Sequence, residues 1–321
     1  MEMRRLGRTG LHIAPLVLGG NVFGWTVDEK TSFEVLDRFA QAGFNAIDTS
    51  DNYSRWAPGN VGGESEVIIG KWMKSRGNRA DIAVITKVGS DVGQGKRDIS
   101  APHIKRAIEA SLKRLQTDYV DLYLSHWHVP GIPYEETLGA YQQLLESGKV
   151  RFIGASNHDA TQLREALDCA RTKSLPRYEV LEPEYNLYNR PAFEGPLRDL
   201  CLREGIGVIV YYALAQGFFT GKYRSEADLG QSTRGGGVRA YLNERGLRIL
   251  AALDEVAEHH GAKVAEIALA WTIAQPGITA PIASATEVEQ IETLVRSATI
   301  TLSPSELALL DRVSSQGRAR S

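Results

Sequence analysis

The chain has 321 residues, 43% of them hydrophobic and 24% charged, with a formal net charge of −2. That length suits one barrel or two ordinary domains, and the near-zero charge excludes the electrostatic footprint of a nucleic-acid or anionic-membrane binder. No apolar run approaches the roughly 18 residues of a membrane span, the opening MEMRRLGRTG lacks the apolar stretch of a secretory signal, and Cys169 and Cys201 stand far apart without metal spacing, so the expectation is a cytoplasmic protein with reduced thiols and no metal.

In chain order, RRLGRTGLHIAPL predicts a hairpin, after which strand and helix signals alternate. A strand at Leu16–Gly20 precedes a helix at Thr31–Ala42, and a strand at Asn45–Asp48 precedes a helix at Glu64–Lys74. Strand Ile82–Lys87 leads to helix Pro102–Leu115, with Ser100 as expected N-cap and Pro102 in the first turn. Strand Tyr119–His126 leads to helix Tyr134–Ser147, which Gly148 should close. Then come strand Val150–Ser156, helix Thr161–Arg171, strand Glu179–Tyr185, helix Pro191–Arg203 and strand Gly207–Ala213. Helices Leu242–His260 and Val264–Ala274, strand Thr279–Ser284, helix Val288–Ser297 and a last helix Ser305–Val313 complete the chain. The strands are short and rich in Val, Ile and Tyr, as strands buried on both faces should be. Eight strands, each followed by helix, predict an α/β chain forming one (β/α)8 TIM barrel over residues 1–321, with an N-terminal β-hairpin and a C-terminal extra helix. A doubly wound sheet competes, but no G-x-G-x-x-G follows a strand. The long loops Ser50–Gly63, Val88–Ile99 and Leu214–Gly237 all belong over the C-terminal face of such a barrel, where active sites lie. Its outer helices offer apolar surface on which copies of the chain can pair as a homo-oligomer.

Four residues fall at, or just past, the ends of consecutive strands: Asp48 and Tyr53 in AIDTSDNYS, Lys87 in IAVITK and His126 in DLYLSHW. Singly each has an ordinary structural explanation, such as a loop cap, a loop aromatic, a snorkelling lysine or a core histidine. Together they put a carboxylate, a phenol, an ammonium and an imidazole at one rim. An ammonium beside a phenol lowers its pKa from about 10; Asp48 can hold Lys87 in place, and His126 can orient a carbonyl by hydrogen bonding. Tyr53 would then protonate the oxygen as hydride reaches the carbon. No side chain donates hydride, so a cofactor must.

These segments resemble the aldo-keto reductase family through nearly the whole chain: LGRTGLHIAPLVLGG, DTSDNY, ITK, LQTDYVDLYLSHW, GKVRFIGASNH and YYALAQGFFTGKY. The branch most similar holds potassium-channel β-subunits and bacterial sugar or aldehyde reductases. The resemblance implies a catalytic tetrad of Asp48, Tyr53, Lys87 and His126, with Ser156 and Asn157 on the nicotinamide carboxamide and Tyr211 stacked on the ring. Tyr212, next along the strand, should face away. Leu214, Gly217 and Lys222 match the pyrophosphate loop, Gln290 the adenosine end, and Gly20 and Asn21 the end of the first strand.

The chain departs from the family in three places. Glu182 stands where Gln is usual, and Ser284 where Gly is. Thr286 and Glu287 occupy the position of a basic residue for the 2′-phosphate, which pulls toward NAD(H). Lys222, Arg224 and Arg234 offer positive charge for NADP(H), which the family base rate puts narrowly ahead. The histidine segment SHWHVP adds His128, expected at the substrate mouth with Trp25, Trp56 and Trp127. Without an Arg cluster, neutral aldoses, small aldehydes or ketones are the expected substrates. The competing functions are an NAD-dependent sugar dehydrogenase, a cofactor-sensing regulatory module with slow turnover, and a Schiff-base enzyme built on Lys87.

Overall fold

A computed structural model describes residues 2–233 and 235–315. A hairpin of β1 (Arg4–Arg5) and β2 (His12–Ile13) precedes eight parallel strands. These are β3 (Val17–Gly19), β4 (Ala46–Asp48), β5 (Ala83–Val88), β6 (Val120–Ser125), β7 (Val150–Ser156), β8 (Val180–Glu182), β9 (Gly207–Val210) and β10 (Ala280–Ala283). They close in sequence order, with β10 pairing back to β3, and helices flank them: the chain is a (β/α)8 barrel with an N-terminal hairpin. The last helix, Pro304–Ser314, packs on Glu244–His260 outside the barrel. No helix among the described residues is long and apolar enough to cross a membrane.

The period-2 alternation of strands decides what faces in. On β5, Ala83 and Ile85 join an inner apolar cluster, while Val84 and Val88 join the larger cluster under the helices. The same parity sends Ala46, Leu122, Leu124, Val180, Ile209, Ala280 and Ile282 inward. Leu6, Leu11 and Ile13 of the hairpin segment belong to this inner cluster. The hairpin therefore plugs the N-terminal end of the barrel, leaving the C-terminal rim as the open end.

Helix boundaries follow local chemistry. Ser100 is the N-cap of Ala101–Leu115, although its side chain makes no capping bond, and Pro102 lies in the first turn. Gly148, at φ +72, lies just past the end of Tyr134–Glu146. Asp159 forms a full capping box with Gln162 at the start of Ala160–Lys173. The helix expected from Pro191 starts only at Pro196, because Gly195 at φ +80 keeps the preceding residues in a turn. The Leu214–Gly237 loop contains two unforeseen 3-10 segments, Ala215–Thr220 and Glu226–Gln231.

Candidate active site

Continuing each strand's inward parity, every second residue, to its C-terminal end names the rim: Gly19, Asp48, Lys87, His126, Ser156, Glu182, Tyr211 and Ser284. All of these except Lys87 line one cavity of about 870 Å³. Lys87 lies behind it, fully buried. Its Nζ donates to Asp48 Oδ1 (2.5 Å), Tyr53 Oη (2.8 Å) and the Thr49 carbonyl (3.1 Å). Tyr53 Oη donates to Asp48 Oδ2 (3.0 Å), and Glu182 Oε1 lies 3.3 Å from the same ammonium. Burial lowers the Lys87 pKa, but Asp48 and Glu182 outweigh it and hold the ammonium well above the usual lysine range. A buried ammonium so held disfavours the free amine that a Schiff base requires.

The expected depression of the phenol by Lys87 is not what prevails. Burial and then the Asp48 charge raise Tyr53 well above the usual phenol range, against Lys87. The hydroxyl is thus a neutral donor, the form that an acid in carbonyl reduction requires.

His126 is kept neutral: burial, then Lys87 and Arg97, push it well below the usual imidazole range. Its Nδ1 lies 3.0 Å from Ser90 Oγ and 3.3 Å from Ser50 Oγ. Trp127 Nε1 donates to Ser90 Oγ (3.1 Å). Indole can only donate, so Ser90 accepts there and has its own proton for His126 Nδ1. With Ser90 donating to Nδ1, the ring proton sits on Nε2.

Ser156 and Asn157 follow from the turn that ends β7. Asn157 adopts φ +55; its Nδ2 donates to the His126 carbonyl (2.9 Å) and to Ser156 Oγ (3.0 Å), and its Oδ1 accepts from Tyr211 Oη (2.7 Å). Tyr212 also lines the cavity, against expectation, because its φ of +55 ends the strand alternation. Ala215, Gln216 and Gly217 continue with positive φ. Leu214, Gly217 and Lys222 line the same wall.

The first strand needs a correction. Gly19 faces the cavity, and a Cβ there would come 2.7 Å from Ser284 Oγ; Gly20 instead packs on Ser65 and the Asp48 carbonyl. Asn21 lines the cavity and accepts from Ser284 Oγ (2.6 Å). At the far end, Gln290 bonds within its own turn, to Thr286 and to Glu287 Oε1 (2.7 Å). Lys263, which sequence reading missed, lines this end and donates to Thr293 Oγ1 (3.1 Å). It precedes the Val264–Ala274 helix and no motif marked it. Arg224 is bound by two contacts to Asp254 (2.7 Å each) and does not line the cavity. Arg234 lies outside the described residues.

Of the substrate-wall candidates, Trp56 and Trp127 line the cavity. Trp25 stands edge-on to Trp56 (5.4 Å between centroids) and braces it from outside. His128 is turned away, its Nδ1 3.0 Å from Tyr134 Oη and its ring against His158. The Ser50–Gly63 loop is tied down: Asn60 Nδ2 donates to the Gly24 and Ser54 carbonyls.

The donor set fits a nicotinamide dinucleotide. Gly19 clears a cradle that a side chain would fill, Glu182 Oε2 is buried without a hydrogen-bond partner, and Lys222 and Lys263 line the cavity. Residues 15–315 match the model of the Aldo/keto reductase family. The chain is 35% identical to the uncharacterized oxidoreductase YrpG of Bacillus subtilis (strain 168), over 98% of this chain and 96% of that one. It is 32% identical to a probable voltage-gated potassium channel subunit beta of Oryza sativa subsp. japonica, over 91% and 89% of the two chains. To the L-glyceraldehyde 3-phosphate reductase of Escherichia coli (strain K12) it is 29% identical, over 97% and 92%.

Proposed function

This chain belongs to the aldo/keto reductase family, an NAD(P)H-dependent carbonyl oxidoreductase, and on that premise we propose that it interconverts neutral polar aldehydes or ketones, aldoses among them, with their alcohols. The observation that carries the reading is the Lys87–Tyr53–Asp48 arrangement, with Tyr53 held as a neutral donor beside the cavity. Bound there, the nicotinamide supplies or accepts the hydride that no side chain can. Tyr53 gives its proton to the carbonyl oxygen, Lys87 stabilises the phenolate that remains, and His126 Nε2 orients the oxygen by donating to it. Trp56 and Trp127 offer faces for the C–H surface of a sugar or a flat ring.

NADP(H) is the proposed cofactor. Lys222 and Lys263 line the cavity, Lys263 bonded to Thr293 of the adenosine-end segment, while the Glu287 carboxylate already accepts from Gln290. Glu287 still favours a free ribose hydroxyl, so an NAD-dependent dehydrogenase is the second reading. Parallel fluorescence titrations with NADPH and NADH decide between them. Tighter NADPH, with the preference reduced about tenfold or more in Lys263→Ala, supports the first reading. Tighter NADH gives the decision to Glu287.

A further inference from the structure

Glu182 is the buried acid that this mechanism leaves unused. It ends β8 facing inward, 2% exposed, and lines the cavity. Its Oε1 lies 3.3 Å from Lys87 Nζ, and its Oε2 has no partner. Two carboxylates thus flank one ammonium. Asp48 receives the stronger contacts, from Lys87 at 2.5 Å and Tyr53 at 3.0 Å, which oppose the upward push of burial on its own carboxyl. One ammonium neutralises one carboxylate, and a second buried negative charge would stay uncompensated. Burial, then the Asp48 charge, push Glu182 well above the usual carboxylate range, with Lys87 opposing.

We propose that Glu182 couples a proton to the charge of the cofactor ring, being protonated beside the reduced, neutral nicotinamide and ionised beside the oxidised, cationic one. The inference rests on the functional reading above, in which hydride and the Tyr53 proton reach adjacent atoms of one carbonyl. The ring must then lie beside Tyr53, and Glu182 shares Lys87 with Tyr53. The groups facing Glu182 are Asp48 from β4, Lys87 from β5, Tyr53 from the loop after β4 and Tyr211 after β9. His126 lines the same cavity. Lys87 stays cationic, and both tyrosines and His126 neutral. Burial raises both carboxyls, and Glu182, with the longer Lys87 contact and no bond from Tyr53, is the one assigned the proton. The glutamine usual in the family has no proton to give at this position.

Lys87 also supplies a route. When the Tyr53 O–H proton goes to the carbonyl oxygen, a Lys87 N–H proton passes to the phenolate and the Glu182 O–H proton passes to Lys87. The net change in the protein is one proton lost from Glu182, regained from water once the oxidised cofactor has left.

The test is the affinity of oxidised and reduced cofactor, NADP+ and NADPH, between about pH 6 and 9, in the wild type and in Glu182→Gln. Both forms carry the same phosphates and adenine, so the ratio of their affinities isolates the ring. In the wild type the ratio should shift toward the oxidised form with rising pH, by up to about tenfold per pH unit where Glu182 titrates. Glu182→Gln should flatten it. Calorimetry in buffers of different ionisation heat should show about one more proton released on binding NADP+ than NADPH in the wild type, and no difference in the variant. A pH-independent wild-type ratio, or an unchanged slope in Glu182→Gln, overturns the proposal while leaving the reductase reading intact. Binding of neither NADP(H) nor NAD(H) overturns that reading, and the proposal with it.

Discussion

Tyr53 sits between an ammonium that donates to it and a carboxylate that accepts from it. A substrate oxygen has to compete with Asp48 for the hydroxyl proton, so the proton is available only where a better-placed acceptor arrives. Replacing Tyr53 by Phe keeps the ring against Trp56 and removes only the proton. We expect kcat to fall by about 10²–10⁴-fold, with NADPH affinity in a fluorescence titration nearly unchanged. Retained turnover would move the acid to another group, with His126 next. The four-residue site was legible in the sequence because all four residues fall at or just past the ends of consecutive strands. Glu182 and Ser284 were legible as departures from a pattern. Lys263 was not: it lies about 20 to 30 residues before the adenosine-end segment it joins, and nothing local distinguishes it from a solvated lysine.

At the scale of elements, the helices Glu64–Arg76 and Ala101–Leu115 pack tightly through Gly70, where a Cβ would come 2.3 Å from the Arg114 carbonyl oxygen. Gly70→Ala gains about 1 kcal/mol of helix propensity. It also drives a methyl into backbone that cannot rotate away, at about 1–3 kcal/mol or more. We expect net destabilisation, read as a lower denaturation midpoint with an unchanged denaturant slope. A midpoint at or above the wild-type value would mean that the helix pair slides freely. The Glu64–Arg76 helix supplies Glu66, which takes bonds from Thr86 Oγ1 and Arg114 Nε (2.6 Å each). Thr86 is the neighbour of Lys87, so this packing supports the catalytic strand from behind. Helix positions were readable from their apolar periodicity. The start at Pro196 was not, because Gly195 interrupts a sequence that otherwise continues the pattern.

For the molecule as a whole, pH enters through Asp51, buried behind the site. Burial, and then the Glu66 charge, raise its pKa to about 8. Its Oδ2 has no partner, and neither does the nearby buried Tyr123 hydroxyl. An acid raised in the folded state is protonated there while the unfolded chain has already lost the proton. Its contribution to stability is therefore full below about pH 4 and is lost as pH rises to about 8, with a slope near 1.4 kcal/mol per pH unit. Asp51→Asn should flatten that slope and raise the unfolding free energy at pH 8 by a few kcal/mol. Equal slopes in urea titrations of the two proteins would show that Asp51 is ionised in the fold.

The sequence by itself determined the barrel, its hairpin, the order of its strands and the four residues that meet at one rim. Strand alternation and helix periodicity are local, and a closed parallel barrel brings consecutive strand ends together whatever the side chains between them. Only the tertiary structure decided which of Gly19 and Gly20 faces the cavity, that His128 turns away, and that Tyr212 joins Tyr211 on the wall. It also decided that Tyr53 is held neutral and that Asp48 and Glu182 compete for one lysine. These depend on backbone φ at strand ends and on the burial of charges brought together from distant segments, and neither quantity exists until the barrel has closed.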